Sequence, residues 1–206
     1  MNMFRLSFTF VLGFILATFL FFLNFPFLVI ISSMFVFFLA FVVLPQIFTV
    51  YLSNNLKSIE KFLEANNKKP LFAYPLAMAK GNRVEVEESL RAILAKHKQP
   101  YMQNVYQTIL ALHHNDIDEA EKYAQQVDGE PLKSYYAAYI AAKKGDFVEA
   151  ARHEENLSLE WMRHALHALY AHEKGQHEEF EVESNQAIAE SRGIQKYILV
   201  HSFKGM

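Results

Sequence analysis

The chain has 206 residues, with 20 Lys or Arg against 22 Asp or Glu, nine His and no Cys, giving a formal net charge of −2. Near-neutral charge without a basic stripe excludes a nucleic-acid footprint, and the lack of thiols excludes disulfides, thiol redox chemistry and zinc ribbons. The charge is also unevenly placed: Leu6 to Leu56 is a 51-residue stretch without Asp, Glu, Lys or Arg, and every carboxylate follows it.

That stretch holds two apolar runs, 6–23 and 27–44, separated by Asn24, Phe25 and Pro26. Eighteen residues make about 27 Å of helix, close to the roughly 30 Å hydrocarbon layer of a bilayer. Thirteen residues of the first run and fourteen of the second are Leu, Ile, Phe or Val. At about −0.3 to −0.6 kcal/mol each, those of the first run contribute about −4 to −8 kcal/mol to insertion. The expectation is a membrane hairpin over residues 1–52. Arg5 ahead of an apolar core resembles the start of a signal peptide, but no small-x-small cleavage pattern follows Leu23 and a second run begins at once. Arg5 on one side, Lys57, Lys61, Lys68 and Lys69 on the other, and an uncharged turn between the runs place both ends in the cytoplasm of a cell-membrane protein. No ionisable group sits at membrane depth, which argues against a proton relay or ion path in the two spans. Gly13 and Ala17 give one small-xxx-small spacing, a candidate contact for another membrane helix.

A juxtamembrane segment, 53–69, leads into a charged, helix-patterned region at 70–206. Gly81, Asn115, Gly145 and Gly175 recur at intervals of 34, 30 and 30 residues. Each follows an apolar helical stretch, such as 101–114, 132–144 or 161–174, and precedes a more charged amphipathic one. Gly or Asn suits the left-handed end of one helix, while Asp116 and Asp146 suit the start of the next by accepting from free amides. Pro70, Pro100 and Pro131 open three of the first helices, where a missing amide costs nothing. The spacing predicts about four helical hairpins in an all-α solenoid, capped by a final helix at 194–203.

The segments Lys144-Gly-Asp-Phe-Val-Glu-Ala150 and His114-Asn-Asp-Ile-Asp-Glu-Ala120 resemble the turn and second-helix start of the tetratricopeptide repeat superfamily. The resemblance covers residues 68 to 192. It departs from the family in two 30-residue units, where 34 is usual, in Val86 and Phe180 at the small-alanine position, and in the displaced first-helix aromatic. The order of two spans and then repeats is also similar to the N-terminal layout of HemY-type membrane proteins associated with haem synthesis. Layout alone transmits no function.

Catalytic chemistry has no motif to rest on: there is no Gly-rich phosphate loop, nucleophile elbow or Ser-x-x-Lys pattern. The late histidines His153, His164, His167, His172 and His177 share no single helical face, because His172 projects about 80° from His164 and about 140° from His167. Neither enzyme activity nor a metal, cofactor or small-molecule substrate is therefore expected. Tetratricopeptide geometry implies that first helices line a concave groove, with Met102, Val105, Ile109, Tyr135, Tyr139, Lys143, Met162, Leu169 and His172 directed inward. Met and Tyr suit a protein or peptide ligand, since Met repacks easily and Tyr offers large area with few rotamers. The same side chains equally suit packing between helices. The expected function is a membrane-anchored scaffold or adaptor, with an accessory subunit held by its membrane hairpin as the alternative.

Overall fold

The computed structural model describes residues 3–206, with side chains from Ser7 onward, and these residues are all-helical. The side chain of Arg5, the charge that orients the first run, lies outside the described residues. Helix α1 (Met3–Phe22) ends at a turn in which Asn24 adopts φ 57°, a left-handed conformation that Asn tolerates better than bulkier residues. Helix α2 (Phe27–Phe38), a π-helical turn (Leu39–Val43) and α3 (Leu44–Tyr51) then run on as one apolar helix of 25 residues.

The helix that holds the second apolar run therefore continues past Leu44 to Tyr51. Pro45 lacks an N–H and its ring crowds the carbonyl four residues back, and the π turn just before it widens the ladder and absorbs the misfit. Among the described residues, Phe27–Tyr51 is the one helix long and apolar enough to cross a membrane, and the apolar part of α1, Ser7–Phe22, is shorter. Only 6% of the most apolar window in Phe27–Tyr51 is buried within the protein. Hydroxyls in this region bond within their own helices, Thr18 to the Phe14 carbonyl at 2.9 Å and Ser32 to the Leu28 carbonyl at 2.8 Å.

Beyond Tyr51, α4 (Leu56–Ala65) starts at Asn55, whose side chain accepts from the Ser58 amide at 3.1 Å. Four helix pairs follow: α5 (Pro70–Lys80) with α6 (Arg83–Lys96), α7 (Pro100–His113) with α8 (Ile117–Ala124), α9 (Leu132–Lys143) with α10 (Phe147–Glu154), and α11 (Glu160–Glu173) with α12 (His177–Glu190). Each pair turns at a left-handed residue: Gly81 (φ 67°), Asn115 (φ 58°), Gly145 (φ 80°) and Gly175 (φ 70°). Asn82, Asp116 and Asp146 accept from the amides that open α6, α8 and α10, whereas Gln176 makes no such bond at α12. Pro70 and Pro100 are first helical residues, and Pro131 sits one place earlier, at the cap of α9.

The core passes from pair to pair. Ala120 and Ala150, both fully buried, allow close approach and share clusters with Ala111 and Ala142 of the preceding helices. Leu90 and Leu166 fill the wider spaces.

Helix α13 (Gly193–Lys204) does more than cover the last pair. Leu199 and Phe203 meet Ala165, Ala187 and Ile188 of α11 and α12, while Ile194 and Tyr197 meet Ile59 and Leu63 of α4 together with Phe72 and Leu76 of α5. A helix apolar on both sides is buried on both sides. Its first turn seats on the end of α3. The Gly193 amide donates to the Ser53 carbonyl at 2.8 Å, and Lys196 Nζ donates to Asn54 Oδ1 at 3.2 Å. Gly193 has φ +59°, and a Cβ there would lie 1.9 Å from the Val50 carbonyl oxygen, so glycine is required twice over.

Candidate functional site: a tyrosine-lined face on the first helices

Seven of the ten tyrosines lie on the first helices of the four pairs: Tyr74, Tyr101, Tyr106, Tyr135, Tyr136, Tyr139 and Tyr170. Their rings meet in two groups, one across α5 and α7 and one on α9 and α11, close enough for Tyr74 and Tyr106 to bear electrostatically on Tyr136. Tyr74 of α5 meets Tyr106 of α7 edge-on at 6.4 Å, and on α9 Tyr135 lies 5.6 Å from Tyr136, 6.4 Å from Tyr139 and 6.1 Å from Trp161 of α11. Burial is the main cause that raises the pKa of Tyr74, Tyr106, Tyr135, Tyr136 and Tyr139, and neighbouring tyrosines add to it at the first four. All five remain protonated near neutral pH. None of these hydroxyls hydrogen-bonds to another described residue, and all five side chains are only half-buried. The surface therefore presents apolar ring faces together with unspent donors and acceptors.

At one end of this face Lys143 and Glu173 pair at 2.7 Å, and both bear on Tyr139. Near the membrane exit it opens into a cavity of about 530 Å³, lined by Tyr51, Phe72, Tyr106, Trp161, Arg192 and Ile194 among others. Arg192 Nη1 also donates to the Ser191 carbonyl at 2.8 Å and to the Ala189 carbonyl, closing the free end of α12.

The structure distributes the expected groove residues unevenly. Tyr135, Tyr139 and Lys143 lie on or beside the tyrosine face, and Met102 and Ile109 are half-buried on α7, with Ile109 against the Leu90 cluster. Val105, Met162 and Leu169 are 6%, 3% and 1% exposed and fill the helix packing. His172 is exposed, and its ring lies 5.7 Å from Phe180 on α12, away from the tyrosine face. A first helix touches its own partner on one side and the next pair on another, so period 3.6 alone does not separate packing faces from a free one. Sequence reasoning missed Tyr74, Tyr106, Trp161 and Tyr170. The signal that could have found them is the concentration of tyrosine in the four first helices.

Gly13 in the membrane region is already in use. A Cβ there would stand 3.3 Å from Met34 Cε and 3.5 Å from Phe37 Cε1, so the helix that approaches it is the chain's own α2. Ala17, one turn later, is half-buried.

The late histidines acquire carboxylate partners from other helices. His164 Nδ1 lies 2.7 Å from Glu183 Oε2 of α12, and His167 Nε2 lies 2.7 Å from Glu154 Oε1 of α10. The Glu154 hydrogen bond is the leading cause that raises the His167 pKa. Protein-family models, curated proteins and solved structures give no match to this chain.

Proposed function

We propose that the protein is a membrane-anchored, cytoplasm-facing adaptor of the tetratricopeptide-like kind, a solenoid of helix pairs that binds a protein or peptide across its first helices. The observation that carries this reading is the set of half-buried tyrosines with unspent hydroxyls on α5, α7 and α9, with Trp161 of α11 against them. A packed interior satisfies its hydroxyls, whereas a recognition surface keeps them for a ligand's backbone. Tyrosine also supplies large contact area at low entropic cost. The anchor is the hairpin of α1 with the Phe27–Tyr51 helix. Its outward phenylalanines, among them Phe10, Phe22 and Phe27 at 76%, 76% and 77% exposure, are suited to lipid.

The test is photocrosslinking in intact cells from Tyr139 and Ile109, with the native hairpin and with an unrelated two-span anchor in its place. Adducts at both positions that survive the exchange of anchor and disappear in Tyr106→Asp support the adaptor. Loss of adducts on exchanging the anchor, with Tyr106→Asp harmless, supports the alternative of an accessory subunit held by its hairpin. Since the chain has no cysteine, Phe25→Cys and Lys68→Cys report orientation directly. An impermeant maleimide should label the first in intact cells and the second only after permeabilisation.

A further inference from the structure

We infer that His164, His167 and Glu183 form a binding site for one divalent transition-metal ion of the zinc class, with Glu154 as its outer carboxylate. One ligand atom from each of the three residues lies within 4.8 Å of the others. Glu183 Oε2 sits between two imidazole nitrogens, 2.7 Å from His164 Nδ1 and 3.6 Å from His167 Nδ1. Tetrahedral bonds of about 2.0–2.1 Å separate donors by about 3.3 Å, a spacing bracketed by these two distances. Loading the site draws the three donors to this common spacing, with the His164 proton moving from Nδ1 to Nε2 or to solvent.

The arrangement around His167 is what distinguishes this cluster from an ordinary ion pair. Its Nε2 is held by Glu154 at 2.7 Å, which places the proton on that nitrogen and leaves Nδ1 free to ligate. A carboxylate behind a ligating histidine is the usual outer support of zinc sites, orienting the ring and raising its basicity. Glu179, one turn before Glu183 on α12, adds negative potential at the same ring. Two imidazoles with one carboxylate suit zinc and its neighbours, whereas calcium and magnesium prefer oxygen throughout. Three protein donors leave a fourth position for water.

The elements explain how the site is built. His164 and His167 are one turn apart on α11, Glu183 comes from α12 and Glu154 from the end of α10. A bound ion would tie α11 to α12, and the hydrogen bond between His167 and Glu154 joins that pair to the one before it. The side chains of Glu183, His164 and His167 are 18%, 24% and 41% exposed, so an ion can reach the donors from solvent. The Tyr170 hydroxyl beside them is buried, with Glu154 close enough to help raise its pKa after burial itself.

The experiment uses the full chain in detergent micelles, stripped with chelator and titrated with Co²⁺ and then Zn²⁺. The expected result is one equivalent bound, a tetrahedral cobalt absorption band displaced by zinc, and a rise in melting temperature absent with Mg²⁺ or Ca²⁺. His164→Gln and Glu183→Gln should each abolish the band, and Glu154→Gln should weaken binding about 10- to 100-fold at unchanged stoichiometry. His177→Gln, outside the cluster, should bind like the parent. Circular dichroism establishes that each variant is folded, and His167→Gln provides a third ligand variant if one is not. Absence of saturable binding, or equal binding by the parent and by folded His164→Gln and Glu183→Gln, overturns the site and leaves a histidine–carboxylate ion-pair network.

Discussion

The N-terminal apolar helices and the helix-pair region use the same apolar side chains in opposite senses. Phe10 and Phe27 stand 76% and 77% exposed, whereas Leu90, Ile93 and Leu166 are fully buried. Polar groups follow the same division. In the first region hydroxyls return to carbonyls of their own helix, and in the second Asn82, Asp116 and Asp146 close the free amides at each turn. Apolar surroundings thus favour long uninterrupted helices that satisfy themselves, while water favours short ones that are capped and paired.

Substitutions can break that contrast. The largest effect is expected from Leu166→Ala, which empties a fully enclosed position and should destabilise the helix pairs by about 2–5 kcal/mol in thermal melts of the full chain in micelles. Phe27→Ala removes a larger side chain yet should shift the same melt by less than about 0.5 kcal/mol. Equal losses would mean that the apolar helices are part of the domain core. Gly193→Ala acts at the junction of the two regions and should cost about 2–4 kcal/mol through its left-handed backbone and the Val50 carbonyl, with faster amide exchange in α13. Protected α13 amides in that variant would show that the junction is not where the regions are joined.

Much of this architecture is legible in sequence because its punctuation is chemical. Gly81, Asn115, Gly145 and Gly175 each mark a left-handed turn, and Asp116 and Asp146 each mark a helix start. The π turn ahead of Pro45 was not legible, since no residue type encodes it. Nor was the double role of α13, whose second face meets α4 and α5 more than a hundred residues earlier. The histidine cluster was hidden for the same reason: His164 and His167 are adjacent on one helix, but Glu183 and Glu154 join them only through tertiary packing.

Two smaller effects sharpen the comparison. Asp146→Ala removes the acceptor for the Glu149 amide, 3.0 Å away, and should cost about 1 kcal/mol, an effect with no counterpart in the uncapped α2. The smallest is a pH effect. Burial, ahead of the nearby cations Arg83 and His114, lowers the His113 pKa, so the unfolded chain binds its proton more tightly than the folded one. Its contribution is complete above the unfolded value of about 6.5 and declines as pH falls below it. Melts at pH 7.5 and 5.5 should show a drop that His113→Gln reduces by on the order of 1 °C, since solvent partly screens a half-buried ring.

The seat of α13 on the end of α3 also has a consequence in time. Lys196 reaches Asn54 across 142 positions, and Tyr197 reaches Glu60 across 137. The ribosome delivers the apolar helices before α13, so the helix pairs can form one after another while the closing contacts wait for α13 to emerge. Until then Ile59 and Leu63 of α4 lack the Tyr197 that covers them. Nascent chains halted before Gly193 should therefore hold folded pairs beside an exposed apolar patch on α4, open to chaperones and proteases for the interval that translation of α13 takes.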